Sequence, residues 1–172
     1  MKYLLIILII FGFTNCYSQF ASIGQYKDSI NGFAINIPVG WRYGVNKSYP
    51  DLQLLAYRSP VDTSDQPHEN FNINIFKKEN SSLNREYEKF INAQKSTNDF
   101  NLKEADSIVI HGQLFKWIIE THKNEVNAEP MNNYVFLTYK SGKTYILTFA
   151  AYSKSFQKYR QLFYQIANTL IL

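Results

Sequence analysis

The sequence predicts an α+β fold: an antiparallel β-sheet of about six main strands, sandwiched between helices, with a long C-terminal amphipathic helix. Three observations carry this. Asn31-Gly32 separates two short strand-like runs, and Asn-Gly is the strongest short hairpin signal because both central residues of a type I′ turn need positive φ. The runs 134–140 and 143–152 flank Ser141-Gly142 and are apolar on both faces: Tyr134 and Phe136 oppose Val135 and Leu137, and Leu147 and Phe149 oppose Ile146. Strands of that kind lie in a sheet covered on both sides. Last, Phe156, Tyr159, Leu162, Phe163, Ile166, Ala167 and Leu170 recur at the 3.6-residue period, as in a helix with one buried stripe.

The N-terminus comes first. Lys2 precedes residues 4–13, an unbroken apolar run with one glycine, and residues 14–18 are small or polar apart from Tyr17. This is the three-part pattern of a secretory signal peptide. The run is shorter than the roughly 20 apolar residues of a membrane span. Cys16 and Ser18 suit the −3 and −1 positions, so cleavage is expected between Ser18 and Gln19. The alternative is a lipoprotein box, Phe13-Thr14-Asn15-Cys16, with Cys16 lipidated. With the signal removed, the chain has no cysteine, and an exported protein without disulfides must be held together by its core. The expected organisation is a signal peptide over 1–18 and one α+β domain over 19–172, a length that buries most of its apolar surface without staples.

Along the domain, strands are expected at 26–30 and 33–38. Phe33, Ile35 and Ile37 share one face of the second. Pro38 lacks an N–H and ends the strand, Gly40 lets the chain bend, and Trp41 folds back as an apolar cover. Further strands follow at 41–46, 52–58 and 71–77, the last two separated by a polar loop over 59–70. Ser82 or Asn84 caps a helix reaching about Ser96, with Leu83, Tyr87, Phe90, Ile91 and Gln94 at helical spacing. A linker over 97–101 leads to strands at 107–111 and 113–122, and then to the two-faced hairpin. The last helix starts at Ser153 or Ser155 and runs toward Leu170.

The order of these elements resembles the PsbP-like superfamily, which includes PsbP and the DcrB-like bacterial envelope proteins. The most specific piece is the apolar strand running into Pro38-Val39-Gly40-Trp41. The resemblance spans most of residues 26–172 and implies an antiparallel sheet between helices. Members of such a fold do unrelated things, so the fold carries no function over.

Chemistry-bearing patterns are few. The charge is +4 over the whole chain, spread without a basic run longer than Lys77-Lys78, so nucleic acid is not the expected partner. There is no Gly-x-Ser-x-Gly elbow and no phosphate-cradling glycine loop. Asp62, Asp65, His68 and Glu69 crowd one loop and offer oxygen and imidazole ligands, without the regular spacing of a calcium loop. Glu120 and His122, two apart, share a strand face and offer two metal ligands without an evident third. A solvated loop and a solvated strand face are the plain readings of these two groups. His111, beside Gly112, reads as a surface or hydrogen-bond-satisfied residue.

The expectation is therefore an exported bacterial envelope protein, periplasmic or secreted, with no catalytic constellation, no cofactor and no membrane span in the mature chain. It would bind or steady a protein partner. The alternatives are a binder of an apolar small molecule in a cavity between sheet and helix and, more remotely, a metal-dependent hydrolase built on the 62–69 loop or on Glu120 and His122.

Overall fold

The computed structural model describes residues 20–45, 48–96, 99–124 and 126–172. The 1–18 segment, with Cys16 and Ser18, lies outside the described residues, as does Gln19. β1 (Ser22–Asp28) and β2 (Phe33–Pro38) form a two-stranded sheet of their own. β3 (Trp41–Gly44), β4 (Leu52–Arg58) and β5 (Asn70–Lys77) open a second sheet, and α1 (Leu83–Gln94) follows. Then come β6 (Asn101–Ile110), β7 (Gln113–Lys123), β8 (Pro130–Lys140), β9 (Lys143–Tyr152) and α2 (Ser153–Ala167). The second sheet has seven strands in the order β3-β4-β5-β9-β8-β7-β6, each antiparallel to its neighbours. α1 thus carries the chain from the middle of the sheet to its far edge, and three hairpins walk it back until β9 meets β5.

Alternation along the strands divides the sheet into two faces. Phe71, Ile73 and Ile75 of β5, Leu147 and Phe149 of β9, Phe136 of β8 and Phe115 and Ile119 of β7 are buried on one. They meet Phe156, Phe163, Ile166 and Leu170 from α2 and its continuation, and Phe33, Ile35 and Ile37 from β2, in one core. Trp41 is buried there too, 5.8 Å from the Phe71 ring, and Gly40 takes a φ of 78° to turn it in. The strand, corner and cover expected around Pro38 are therefore present. Phe163 has no exposure and stacks on Phe149 at 5.0 Å. The opposite face is covered by α1 over β7 and β8, where Lys116 lies over the Tyr87 ring at 4.6 Å. Ser82 is its N-cap, accepting from the Arg85 N–H. The apolar stripe of α1 is only half-buried, and its one fully buried side chain is Glu86.

Several expectations change in detail. The sheet has seven strands, not six, and the first hairpin stands apart from it. That hairpin does not close through two residues: Asp28 pairs with Phe33, leaving four in the turn. The Asp28 carboxylate accepts from the Ile30 and Asn31 N–H groups and from the Asn31 amide. A side chain that takes several donors at once favours this wider turn. α2 has no side-chain cap: Tyr152 is the N-cap residue, Ser153 donates to the Asn132 side chain and Ser155 to Glu69. The helix ends at Ala167 because the next residues are used elsewhere, Thr169 accepting from the Asn36 N–H and Ile171 bridging Ala34. Leu170 stays buried.

Candidate functional sites

The loop between β4 and β5 is organised by a residue that the ligand pattern did not single out. Arg58 ends β4. Its guanidinium donates to both oxygens of Asp65, at 2.6 and 2.8 Å, and through Nε to Glu69 at 2.8 Å. Asp65 also accepts from the Val61 N–H at 2.8 Å. The Arg58 bonds, helped by that N–H, hold the Asp65 carboxyl at about 2. Burial works to raise Glu69, but hydrogen bonds from Arg58 and Ser155 outweigh it and the net shift is downward. Asp62 faces the other way, accepting from the Ser64 hydroxyl and N–H. His68 lies against the Tyr152 ring with centroids 4.2 Å apart. The four loop candidates are thus near in sequence and divided in space. Asp65 and Glu69 share a guanidinium, Asp62 caps its own turn, and His68 joins an aromatic contact.

Glu120 and His122 do come together. They share the α1 face of β7, and His122 Nδ1 stands 3.1 Å from both carboxylate oxygens. Glu120 is 1% exposed. Burial raises its carboxyl above the ordinary value, opposed by His122 and by a hydrogen bond from Asn133, its cross-strand partner. A buried acid beside an imidazole can hold and exchange a proton. Among the described residues, however, no hydroxyl is hydrogen-bonded to His122, and no three His, Cys, Asp or Glu side chains converge as metal ligands. His111 sits in the β6–β7 turn with φ of 47° and its ring bonded to the Asn168 carbonyl oxygen at 3.0 Å.

A third place was not foreseen residue by residue. α2 covers β8 and β9 and leaves a groove of about 420 Å³ beside β7, lined by Trp117, Tyr134, Gln157, Arg160, Gln161 and Tyr164. Trp117 and Tyr134 meet edge to face at 5.3 Å. Arg160 is held by Glu104 of β6 through two bonds of 2.6 and 2.8 Å. Burial pushes the Tyr134 phenol up to about 12, so it keeps its proton. Nothing in the sequence singles out Trp117, and Tyr134 reads there only as part of one face of a two-sided strand. Only the lateral offset of α2 turns them into the floor of a groove.

No protein-family model and no curated protein matches the sequence. Solved structures do. The solution structure of cyanobacterial PsbP (CyanoP) from Synechocystis sp. PCC 6803 superposes with a TM-score of 0.65 at 17% identity, covering 91% of this chain and 95% of the other. LpqN of Mycobacterium tuberculosis, described as involved in cell envelope biogenesis, gives 0.62 at 11%, covering 86% and 88%. A Pseudomonas aeruginosa protein of unknown function, PA94, described as a putative regulator, gives 0.54 at 13%, covering 87% and 96%. At such identities the likeness is one of architecture, and it agrees with the resemblance carried by the strand into Pro38-Val39-Gly40-Trp41: this chain has the PsbP-like fold.

Proposed function

We propose that the chain is an exported, non-catalytic envelope module that binds a partner protein along β6. The observation that carries this is the strand itself. β6 is ten residues long and pairs only with β7, and its first seven residues are all exposed. An edge with free N–H and C=O groups is a template for another strand, and strand addition is a recurrent mode of peptide recognition. Lys103, Glu104 and Asp106 punctuate it, which limits indiscriminate pairing. LpqN, similar in fold, is described as involved in envelope biogenesis, and the apolar run at 4–13 suits export.

The test is site-specific photo-crosslinking in the native host. Probes at Lys103 and Ser107 are expected to capture one discrete protein, whereas a probe at the exposed Glu88 of α1 captures none. Equal labelling from all three positions would overturn the reading. Export is checked by intact mass: Gln19 is expected at the N-terminus, and a diacylglyceryl group on Cys16 would instead make the protein a lipoprotein.

The groove beside α2 favours a second reading, a small-molecule binder. Its lining mixes rings with two amides and a guanidinium, so the ligand it suits is ring-bearing and polar more than purely apolar. Native mass spectrometry of protein purified from its own host reads this out: a co-purifying mass lost on Trp117→Ala supports it, and an unliganded mass removes it. No observation adds support to metal-dependent hydrolysis, for which metal analysis of fresh protein is the check.

A further inference from the structure

The end of the sheet away from the 59–69 loop gathers lysines that, among the described residues, no side-chain carboxylate pairs with. In register, Lys77 of β5 faces Lys143 of β9, and Lys143 faces Lys140 of β8. The alternation that buries Ile75, Tyr145 and Thr138 puts all three on the α2 face, as one row across three neighbouring strands. Like charges directly opposite one another destabilise a sheet, so such a row calls for a counter-charge. Lys143 Nζ donates to the Asn31 carbonyl oxygen at 3.3 Å, and Lys140 Nζ to an oxygen of Leu172, the last residue of the sequence, at 2.7 Å. Lys77 and Lys143 are thus left with no charged partner among the described residues. Asp51 and Glu79 stand at the same end outside ion-pair distance, and the Asp28 carboxylate is occupied by its own turn.

Apolar tips surround this row. Ile30 in the β1–β2 turn is 89% exposed and Tyr49 in the β3–β4 loop 63%. They are fixed relative to the lysines by one hydrogen-bonded chain. The Asn31 carbonyl also accepts from the Tyr145 hydroxyl at 3.1 Å, its amide donates to Gln53 at 2.9 Å, and Gln53 donates to the Pro50 carbonyl at 2.6 Å. Between them lies a hollow of about 480 Å³. The other end of the molecule also exposes apolar tips, Val61 and Val126, but there cations and carboxylates are matched, Asp65 with Arg58 and Glu129 with Lys154. The charge distinguishes the two ends.

We propose that the lysine end docks on an anionic membrane surface, with Lys77, Lys140 and Lys143 against lipid phosphates and Ile30 and Tyr49 in the headgroup boundary. Basic groups near such a surface and apolar side chains entering its interface are the two contributions that hold peripheral proteins there. This goes beyond partner binding at β6 and does not depend on it.

Vesicle co-sedimentation of the processed protein tests it, with phosphatidylglycerol-containing vesicles beside pure phosphatidylcholine. Binding is expected to the anionic vesicles and to weaken with added salt. Lys77→Gln, Lys140→Gln and Lys143→Gln together should lower the partition coefficient roughly a hundredfold, about fivefold for each lysine. Lys77→Gln alone, at a side chain with no hydrogen bond in the fold, should give the single fivefold step and guards against misfolding of the triple variant. Ile30→Ser should weaken binding with the salt dependence unchanged. The protein used is the processed form expected to begin at Gln19, so the apolar 4–13 run does not contribute to binding of either vesicle type. The proposal falls if the lysine variants bind like wild type, or if both vesicle types bind equally. It also falls if glycerol phosphate alone binds and vesicles do not, which would make this a site for a soluble anion.

Discussion

At the scale of single residues, the buried and half-buried charges set the response to pH. Asp65 is held at about 2 against an ordinary 3.8, chiefly by its bonds to Arg58. The stability this brings is complete above about pH 4 and drains away as the pH falls toward 2; Glu69 moves in the same direction. Arg58→Ala should therefore flatten the acid limb of the stability profile. At neutral pH it should cost roughly 2–3 kcal/mol, in the range for hydrogen bonds to charged groups, measured by urea unfolding across pH. Glu120 behaves oppositely. Burial raises its carboxyl above 4.5, with His122 and Asn133 opposing, so the folded state favours the protonated acid. Its contribution is fullest below pH 4.5 and lost as the pH rises through the raised value. Glu120→Gln is expected to gain stability relative to wild type as the pH is raised from 4 to 7; a constant difference would show that His122 compensates the charge fully. That Glu120 and His122 share a face was legible in the sequence because a strand fixes which side chains point the same way; that this face is buried, and not solvated as expected, was not. The dispersal of Asp62, Asp65, His68 and Glu69 was not, since an irregular loop has no period to read and its arrangement is decided by Arg58, a residue outside the ligand pattern.

At the scale of elements, burial separates neighbouring positions on α2. Phe163 is fully buried and touches the rings of Phe149, Phe156 and Tyr159. Phe163→Ala should cost roughly 3–5 kcal/mol through lost transfer energy and a residual cavity. Gln161→Ala, on the exposed side, should cost less than about 0.5 kcal/mol. Chemical denaturation of the pair beside wild type checks both, and a Phe163→Ala variant as stable as wild type would mean that the helix is not packed as described. The stripe was readable because it repeats over four turns. β6 shows the converse. Its six N-terminal residues, 101–106, lie outside the expected strand because Leu102, Lys103, Glu104, Ala105 and Asp106 show no inside-outside alternation. Pairing with β7 alone makes them a strand, and exposure on both faces leaves no hydrophobic signature. The first turn was misjudged in length for a related reason: Asn31-Gly32 was weighed as a pair, and the carboxylate of Asp28 governs four residues.

At the scale of the whole molecule, the architecture was legible where both faces of a strand are covered, as in β8 and β9, and less so at the sheet's edges. The binding features, the groove and the row of lysines, were not. They arise from register between strands distant in sequence and from where a helix stops covering the sheet. The strand order also has a kinetic consequence. β6 to β9 form three successive hairpins, so their contacts are local: Lys140 and Lys143 pair across two residues. Joining this unit to β3–β5 requires Asn70 to find Ala150, 80 positions further on (150 against 70), across α1 and three strands. Loops of that size close late, because chain entropy opposes them until other contacts exist. The meander should therefore consolidate first and the β5–β9 seam last. Phi-value analysis should place Phe136→Leu in β8 near the fully formed limit and Ile73→Val in β5 near zero. Variants that weaken the seam should then speed unfolding and leave the folding rate almost unchanged, so the lifetime of the native state is set largely by the β5–β9 seam, the longest line of pairing between the two halves of the chain.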